Sequence, residues 1–225
     1  MNIENKTQEK TAQPKATDTP RTSGELMLVF GKYDPSEVRI TDPSLTKYVC
    51  LDSKKIPHTF GKKTRTRFAK GDLSIVERLI NKLMRSGQGK RKLSGKYIRT
   101  RQSCGKKLQA MGIVEDAFEI IERKTQKNPI QVLVDAIHNA GPREDTTRIK
   151  KGGVSYSVSV DVAPLKKVDE ALKNLALAAF SGSYRTKTSA AEALAKELIA
   201  TAEEDNASFS VKRRDEVERI AKASR

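Results

Sequence analysis

Apolar residues fall at helical spacing through most of the chain from residue 72 onward. Ile75, Val76, Leu79, Ile80, Leu83 and Met84 make one stripe. Ser74 and Glu77 have capping-box spacing at its start, so a helix is expected from about Asp72 to near Gly87. Ile113, Val114, Ala117, Phe118 and Ile121 define a second stripe. A third helix is bounded at both ends, by Asn128 as N-cap with Pro129 at the first position and by Gly141-Pro142 as the stop. Its core face is Val132, Leu133, Ala136 and Ile137. Three more follow. One is opened by Pro164, with Val168, Leu172, Leu175, Ala176, Ala179 and Phe180 inward; one by Ser189 and Glu192, with Leu194, Leu198 and Ile199 inward; the last begins near Ser210.

Between the third and fourth helices the period changes to two. Val154, Tyr156, Val158, Val160 and Val162 alternate with Ser155, Ser157, Ser159 and Asp161, after Thr147-Arg-Ile-Lys-Lys and the turn pair Gly152-Gly153. This is a β-hairpin over residues 145–162. A lone hairpin is marginally stable, and the cations near its tip favour an arm that projects from the bundle. Residues 26–60 hold short apolar runs broken by Gly31, Pro35, Pro43 and Pro57, which suggests extended segments laid over a core. Residues 87–105 are glycine-rich and basic without an apolar period, so they read as a loop or arm. Residues 1–24 are polar, with Pro14 and Pro20, and are expected to be disordered when unbound. The fold class that follows is mainly α: a single-domain helical bundle of about six helices over residues 25–225, with a protruding β-hairpin and a basic N-terminal arm. No repeat of 20–50 residues points to a solenoid.

Charge adds what periodicity cannot. The 225 residues carry 44 Lys+Arg against 28 Asp+Glu, a net of +16. Residues 54–107 hold 18 of those cations and only two acids, Asp72 and Glu77, so the whole excess lies in one quarter of the chain. Such asymmetry indicates a face for a polyanion. The candidate phosphate contacts are Lys54, Lys55, Lys62, Lys63, Arg65, Arg67, Lys70, Lys90, Arg91, Lys92, Lys96, Arg99, Arg101, Lys106 and Lys107. Of these, Lys62, Lys63, Arg65, Arg67, Arg99 and Arg101 are expected to provide most of the contact, from segments where glycine lets the backbone approach a sugar-phosphate chain. The 87–105 arm has one aromatic, Tyr97, so reading of folded RNA by shape and phosphate fits better than base stacking on a sheet.

Other chemistries find little footing. The longest apolar runs, residues 26–30 and 175–180, are far short of the roughly 20 residues a membrane helix requires. The first fifteen residues lack the apolar core of a secretory signal, so a cytoplasmic location is expected, with Cys50 and Cys104 as free thiols and the sequons at Asn5 and Asn206 unused. With two histidines, His58 and His138, and no CxxC pair, no zinc-ligand spacing can be assembled and no metal or cofactor is expected. The stretch Gly89 to Lys96 fails the phosphate-loop spacing: five residues separate its glycines and Tyr97 follows the lysine. Arg143-Glu144-Asp145 reads as a hairpin-base ion pair, and neither histidine has a nucleophile arranged beside it, so no enzyme activity is expected. One rival survives. The helices around 113–126 and 129–140, followed by a hairpin, resemble on paper a DNA-binding winged helix-turn-helix regulator. Against that, the would-be recognition helix offers only Gln131, Asp135, His138 and Asn139 on its polar face.

Several segments are specific: FGKY, SIVERLINKLM, EDAFEIIERKTQKNPIQVLVDAIHNAGPREDTTRI, VDVAPLKKVDEAL and the closing VKRRDEVERIAKASR. Together, in order over residues 26–225, they closely resemble the small-subunit ribosomal protein seven family, called protein five in eukaryotic ribosomes. The basic arm with GKYIRTR and GKKLQA and the short C-terminal ending resemble the archaeal type. The resemblance implies a primary binder of small-subunit ribosomal RNA that nucleates assembly of the head in the 3′ major domain. It implies a bundle whose hairpin and C-terminal helix approach exit-site tRNA and mRNA, with neighbouring head and platform ribosomal proteins as partners and no membrane. Carried onto this chain, the hairpin would contribute Arg143, Arg148, Lys150 and Lys151, and the last helix Lys212, Arg213, Arg214 and Arg225.

Overall fold

A computed structural model describes residues 28–61, 66–86, 91–93, 96–98 and 105–225; for 91–93, 96–98 and 151 it describes the backbone alone. The polar tail of residues 1–24 therefore lies outside the described residues, as do Lys62, Lys63, Arg65, Lys90, Arg99, Arg101 and Cys104. The side chains of Arg91, Lys92, Lys96, Tyr97 and Lys151 do so too.

Among the described residues, six α-helices and two antiparallel strand pairs follow one another: α1 Ile75–Arg85, β1 Arg91–Leu93, β2 Lys96–Ile98, α2 Lys107–Thr125, α3 Pro129–Ala140, β3 Glu144–Lys151, β4 Val154–Asp161, α4 Pro164–Ser183, α5 Ala190–Ala202 and α6 Phe209–Ala223. The architecture is mainly α, as the periodicity indicates. α5 packs against α2, α3 and α4, α1 against α2 and α4, and α6 against β3, α3 and α4. The expected stripes meet in one core, where Ile75, Leu79, Ile80, Val114, Phe118, Ile121, Leu133, Ile137, Leu172, Leu175, Leu194 and Leu198 are all fully buried.

Caps set two helix starts as expected. Asn128 accepts from the Ile130 amide at 3.0 Å, with Pro129 inside the first turn, an arrangement worth about 1 kcal/mol. At α5 the Ser189 hydroxyl accepts from the Glu192 amide at 3.1 Å while the Glu192 carboxylate accepts from the Ser189 amide at 3.2 Å. The capping box expected at Ser74 and Glu77 does not form. The first amide of α1, Ile75, donates to the Cys50 carbonyl at 3.0 Å, and the Glu77 carboxylate is drawn inward to partners distant in sequence. A second difference lies in the 87–105 stretch, where residues 91–93 pair with 96–98 as β1 and β2; backbone pairing needs no apolar period, so periodicity gives no sign of it.

Residues 28–50 run over the bundle without regular structure and are fastened at several points. Tyr33 and Phe30 set their rings edge-on to Phe118, with centroids 5.8 and 6.1 Å away. Asn128 Nδ2 donates to the Asp34 carbonyl at 2.7 Å, and Gln131 bonds both the amide and carbonyl of Arg39. Buried Lys167 of α4 reaches Asp42 at 3.0 Å. The hydrogen bonds from Ser44, and then that from Lys167, hold the Asp42 carboxyl well below the usual carboxylate range.

Candidate nucleic-acid interface

The hairpin β3–β4 stands away from the core. In its register Ile149 lies opposite Tyr156, Thr147 opposite Val158 and Asp145 opposite Val160, so Ile149, Val154, Tyr156, Val158 and Val160 share one face. All five are exposed, Tyr156 by 54% and Val154 by 53%. Arg148 and Lys150, paired with Ser157 and Ser155, occupy the opposite, polar face. The tip turns on Gly152 and Gly153 at φ 59° and 82°, a geometry for which glycine carries no steric penalty. At the root, the Glu218 carboxylate of α6 accepts from the Arg143 amide at 2.9 Å, Arg225 pairs with Glu144, and Lys166 meets Asp145 at 2.6 Å. The last helix thus anchors the hairpin.

The basic segment is rooted on a buried carboxylate. Glu77 of α1 is 2% exposed, and its Oε1 accepts from the Thr59 amide and hydroxyl, both at 3.1 Å, and from Lys107 Nζ at 2.6 Å. One acid therefore ties the loop at the start of the basic stretch to the first residue of α2 at its end. A second cluster gathers Lys70, Arg78 and Lys82 around Asp169 of α4, with Arg78 at 3.2 Å and Lys82 at 3.5 Å. Burial alone would raise the Asp169 carboxyl, but the hydrogen bond from Lys70 and the charges of Lys82 and Arg78 outweigh it and hold it low. Burial in turn lowers Arg78 and Lys82.

The sequence-predicted cations divide into two sets. Lys54 pairs with Asp52 at 3.2 Å, Lys70 with Asp169, Lys107 with Glu77, Arg213 with Glu216 and Arg225 with Glu144. Arg214 bonds the Asn139 carbonyl at 2.7 Å, Glu204 at 2.9 Å and Asp215 at 2.8 Å, which makes it a staple between α3 and α6. By contrast Lys55, Arg67, Lys106, Arg143, Arg148, Lys150 and Lys212 are exposed and, among the described residues, in no ion pair. The exposed intrahelical Arg213–Glu216 pair contributes little and gives way readily to a stronger anion.

Sequence reading passed over two aromatics in the basic segment. Phe60 is 79% exposed and stacked on His58 with centroids 4.2 Å apart; Phe68 is 62% exposed with the Arg67 guanidinium 4.9 Å from its ring centre. The available signal was their position, bracketing the run GKKTRTR. The winged-helix rival loses its recognition helix here. α3 buries Pro129, Ile130, Val132, Leu133, Val134, Ala136, Ile137 and Ala140, and its polar face is occupied by the chain itself: Gln131 by Arg39 and Asp135, Asn139 by the Thr201 and Ala202 carbonyls. Among the described residues no group of three or more His, Cys, Asp or Glu is placed to hold a metal ion, and no helix is long and apolar enough to cross a membrane.

A hairpin that carries Arg148 and Lys150 on its polar face and projects from a helical bundle, in a chain whose charge excess lies in residues 54–107, has the make-up of a scaffold with a cationic surface. Comparison with known sequences is more specific. The family described as ribosomal protein S7p/S5e matches residues 45–225. The small ribosomal subunit protein uS7 of Archaeoglobus fulgidus is 50% identical over 201 residues, 89% of this chain and 96% of that one. The protein of the same name from Methanoregula boonei is 46% identical over 214 residues, 95% of this chain and 97% of that one, and that from Methanococcoides burtonii is 46% identical over 200 residues, 89% and 100%. The chain belongs to the ribosomal protein S7p/S5e family and is of its archaeal type.

Proposed function

We propose that this chain is a structural constituent of the small ribosomal subunit and has no enzymatic role. Its partners are the subunit's ribosomal RNA and neighbouring ribosomal proteins. The observation that carries the reading is family membership over nearly the whole length, joined to a +16 excess confined to one segment. The finer proposal is that the cations of residues 54–107 hold ribosomal RNA of the head, in the 3′ major domain, as a primary contact that starts head assembly. Lys55, Arg67, Arg85 and Lys106 are the described members of that set left without an internal carboxylate, and Lys62, Lys63, Arg65, Arg99 and Arg101 extend it. The hairpin and α6 then approach exit-site tRNA and mRNA, with Arg143, Arg148, Lys150 and Lys212 as free cations. The apolar hairpin face of Ile149, Val154, Tyr156, Val158 and Val160 supports a neighbouring head or platform protein as its cover, because a two-stranded ribbon is poorly stable alone.

The test is sedimentation of cell extract through a low-magnesium gradient after a high-salt wash, probing each fraction for this chain. Stoichiometric retention on small subunits is expected. A pool found free or on DNA, with none on ribosomes, would overturn the reading. In solution, contact with about 6–10 phosphates predicts a roughly 10³- to 10⁵-fold loss of RNA affinity between 50 and 200 mM salt.

A further inference from the structure

Two Phe-Gly pairs share one backbone geometry and send their rings in opposite directions. Phe30-Gly31 has φ 53° and 73°, and Phe60-Gly61 has φ 51° and 73°. Positive φ is unfavourable for a bulky residue and persists where the surroundings over-determine it. At Phe30 the reason is visible, since its half-buried ring rests edge-on against Phe118. Phe60 has no such contact: its ring lies nearly parallel to His58, at 18°, and remains 79% exposed. Phe68 repeats the situation at φ 66°, 62% exposed, with Arg67 over the ring.

The loop that presents Phe60 is nevertheless fixed. Thr59 is held by its amide and hydroxyl on buried Glu77, and the Phe60 amide donates to His58 Nδ1 at 2.8 Å. An outward ring on a pinned backbone, with one face covered by a flat partner, is a stacking platform. Its surroundings name the ligand, because the segment from 54 to 107 carries almost no negative charge to repel a polyanion. We infer that Phe60, backed by His58, and Phe68, backed by Arg67, each receive an unpaired nucleobase of the bound RNA by face-to-face stacking. The inference rests on the RNA-binding reading above and adds base contact to phosphate contact. Rings of this kind accept any base, so they hold single-stranded loops or bulges where the cations hold backbone.

The chain has no tryptophan, so Phe60→Trp and Phe68→Trp each install a single tryptophan whose emission is excited apart from that of the five tyrosines. The probe is small-subunit ribosomal RNA stripped of protein, added to the full-length chain. Stacking predicts strong quenching of each reporter and protection from acrylamide. Removing one base contact lowers affinity by about 5- to 150-fold, so Phe60→Leu, which keeps apolar bulk but not the ring, should bind that much more weakly while Phe60→Trp binds as the unaltered chain does. The slope of log affinity against log salt should stay unchanged in both. Equal binding by Phe60→Leu and Phe68→Leu, or unquenched reporters in the complex, overturns the stacking inference while a steep salt slope leaves the RNA reading standing. Absence of salt-dependent binding by the unaltered chain overturns both.

Discussion

Lys107 sits where two readings meet, because it lies at the end of the basic segment and yet its ammonium is spent inside the protein. Its side chain is 15% exposed, 2.6 Å from a Glu77 carboxylate that is 3% exposed. At an effective dielectric of 20 the attraction across that distance is about 6 kcal/mol before desolvation is subtracted. Replacing Lys107 with Met strands the carboxylate, whose Oε1 keeps the two Thr59 donors while Oε2 has no hydrogen-bond partner. Loss of one partner from such a pair costs about 3–5 kcal/mol, which for a chain of this size is a fall in Tm of roughly 6–20 °C. The double variant Glu77→Gln/Lys107→Met removes both charges and should recover most of that loss. In titrations with ribosomal RNA, Lys107→Met should leave the salt slope unchanged, whereas Lys55→Ala, at an exposed cation of the same segment, should lower it by about one. Calorimetry with these titrations decides the matter. An unshifted Tm together with a salt slope reduced by about one would refute the structural assignment and make Lys107 a phosphate contact.

The Asp42–Lys167 contact is expected to show in the acid limb of stability. The folded carboxyl is held below its unfolded value of about 4. Its contribution is therefore complete above that pH and is lost as pH falls through the folded value, so Asp42→Asn should flatten the limb in urea melts run from pH 6 downward. Gly141→Ala attacks the same contact sterically, since a Cβ there would lie 2.4 Å from Lys167 Cγ; a loss of about 1–3 kcal/mol is expected in the same melts. Deleting the hairpin tip, residues 149–154, should leave a cooperative thermal transition while altering exit-site function in a translation assay. Loss of that transition would show the hairpin to be part of the cooperative unit.

Much of the bundle was legible because its signals are local. α3 carries its own start in Asn128-Pro129 and its own stop in Gly141-Pro142, and the 3.6-residue stripes name core residues that prove fully buried, such as Leu133, Ile137 and Leu172. The alternation from Val154 to Val160 fixes the hairpin because only one period fits it, though its bounds fall one residue earlier than expected, at Glu144–Asp161. The cationic segment was equally plain, charge being additive along the chain. Which cations remain available was not, since Lys70, Lys107, Arg214 and Arg225 meet carboxylates from other elements. The exposed rings of Phe60 and Phe68 were hidden for the related reason that an aromatic residue in a sequence reads as core until its neighbours are known.

The pattern Ser-x-x-Glu occurs at both Ser74 and Ser189, and in isolation the two are equivalent. At α5 the start of the helix lies at the surface, nothing competes for Glu192, and the reciprocal cap closes. At α1 the same residues are buried, where Cys50 takes the first amide and Lys107, 30 residues away, takes the acid. Propensity, capping and net charge act over a few residues and are set by the chain alone. The partner of a buried charge is set by which elements pack together, and only the tertiary structure decides that.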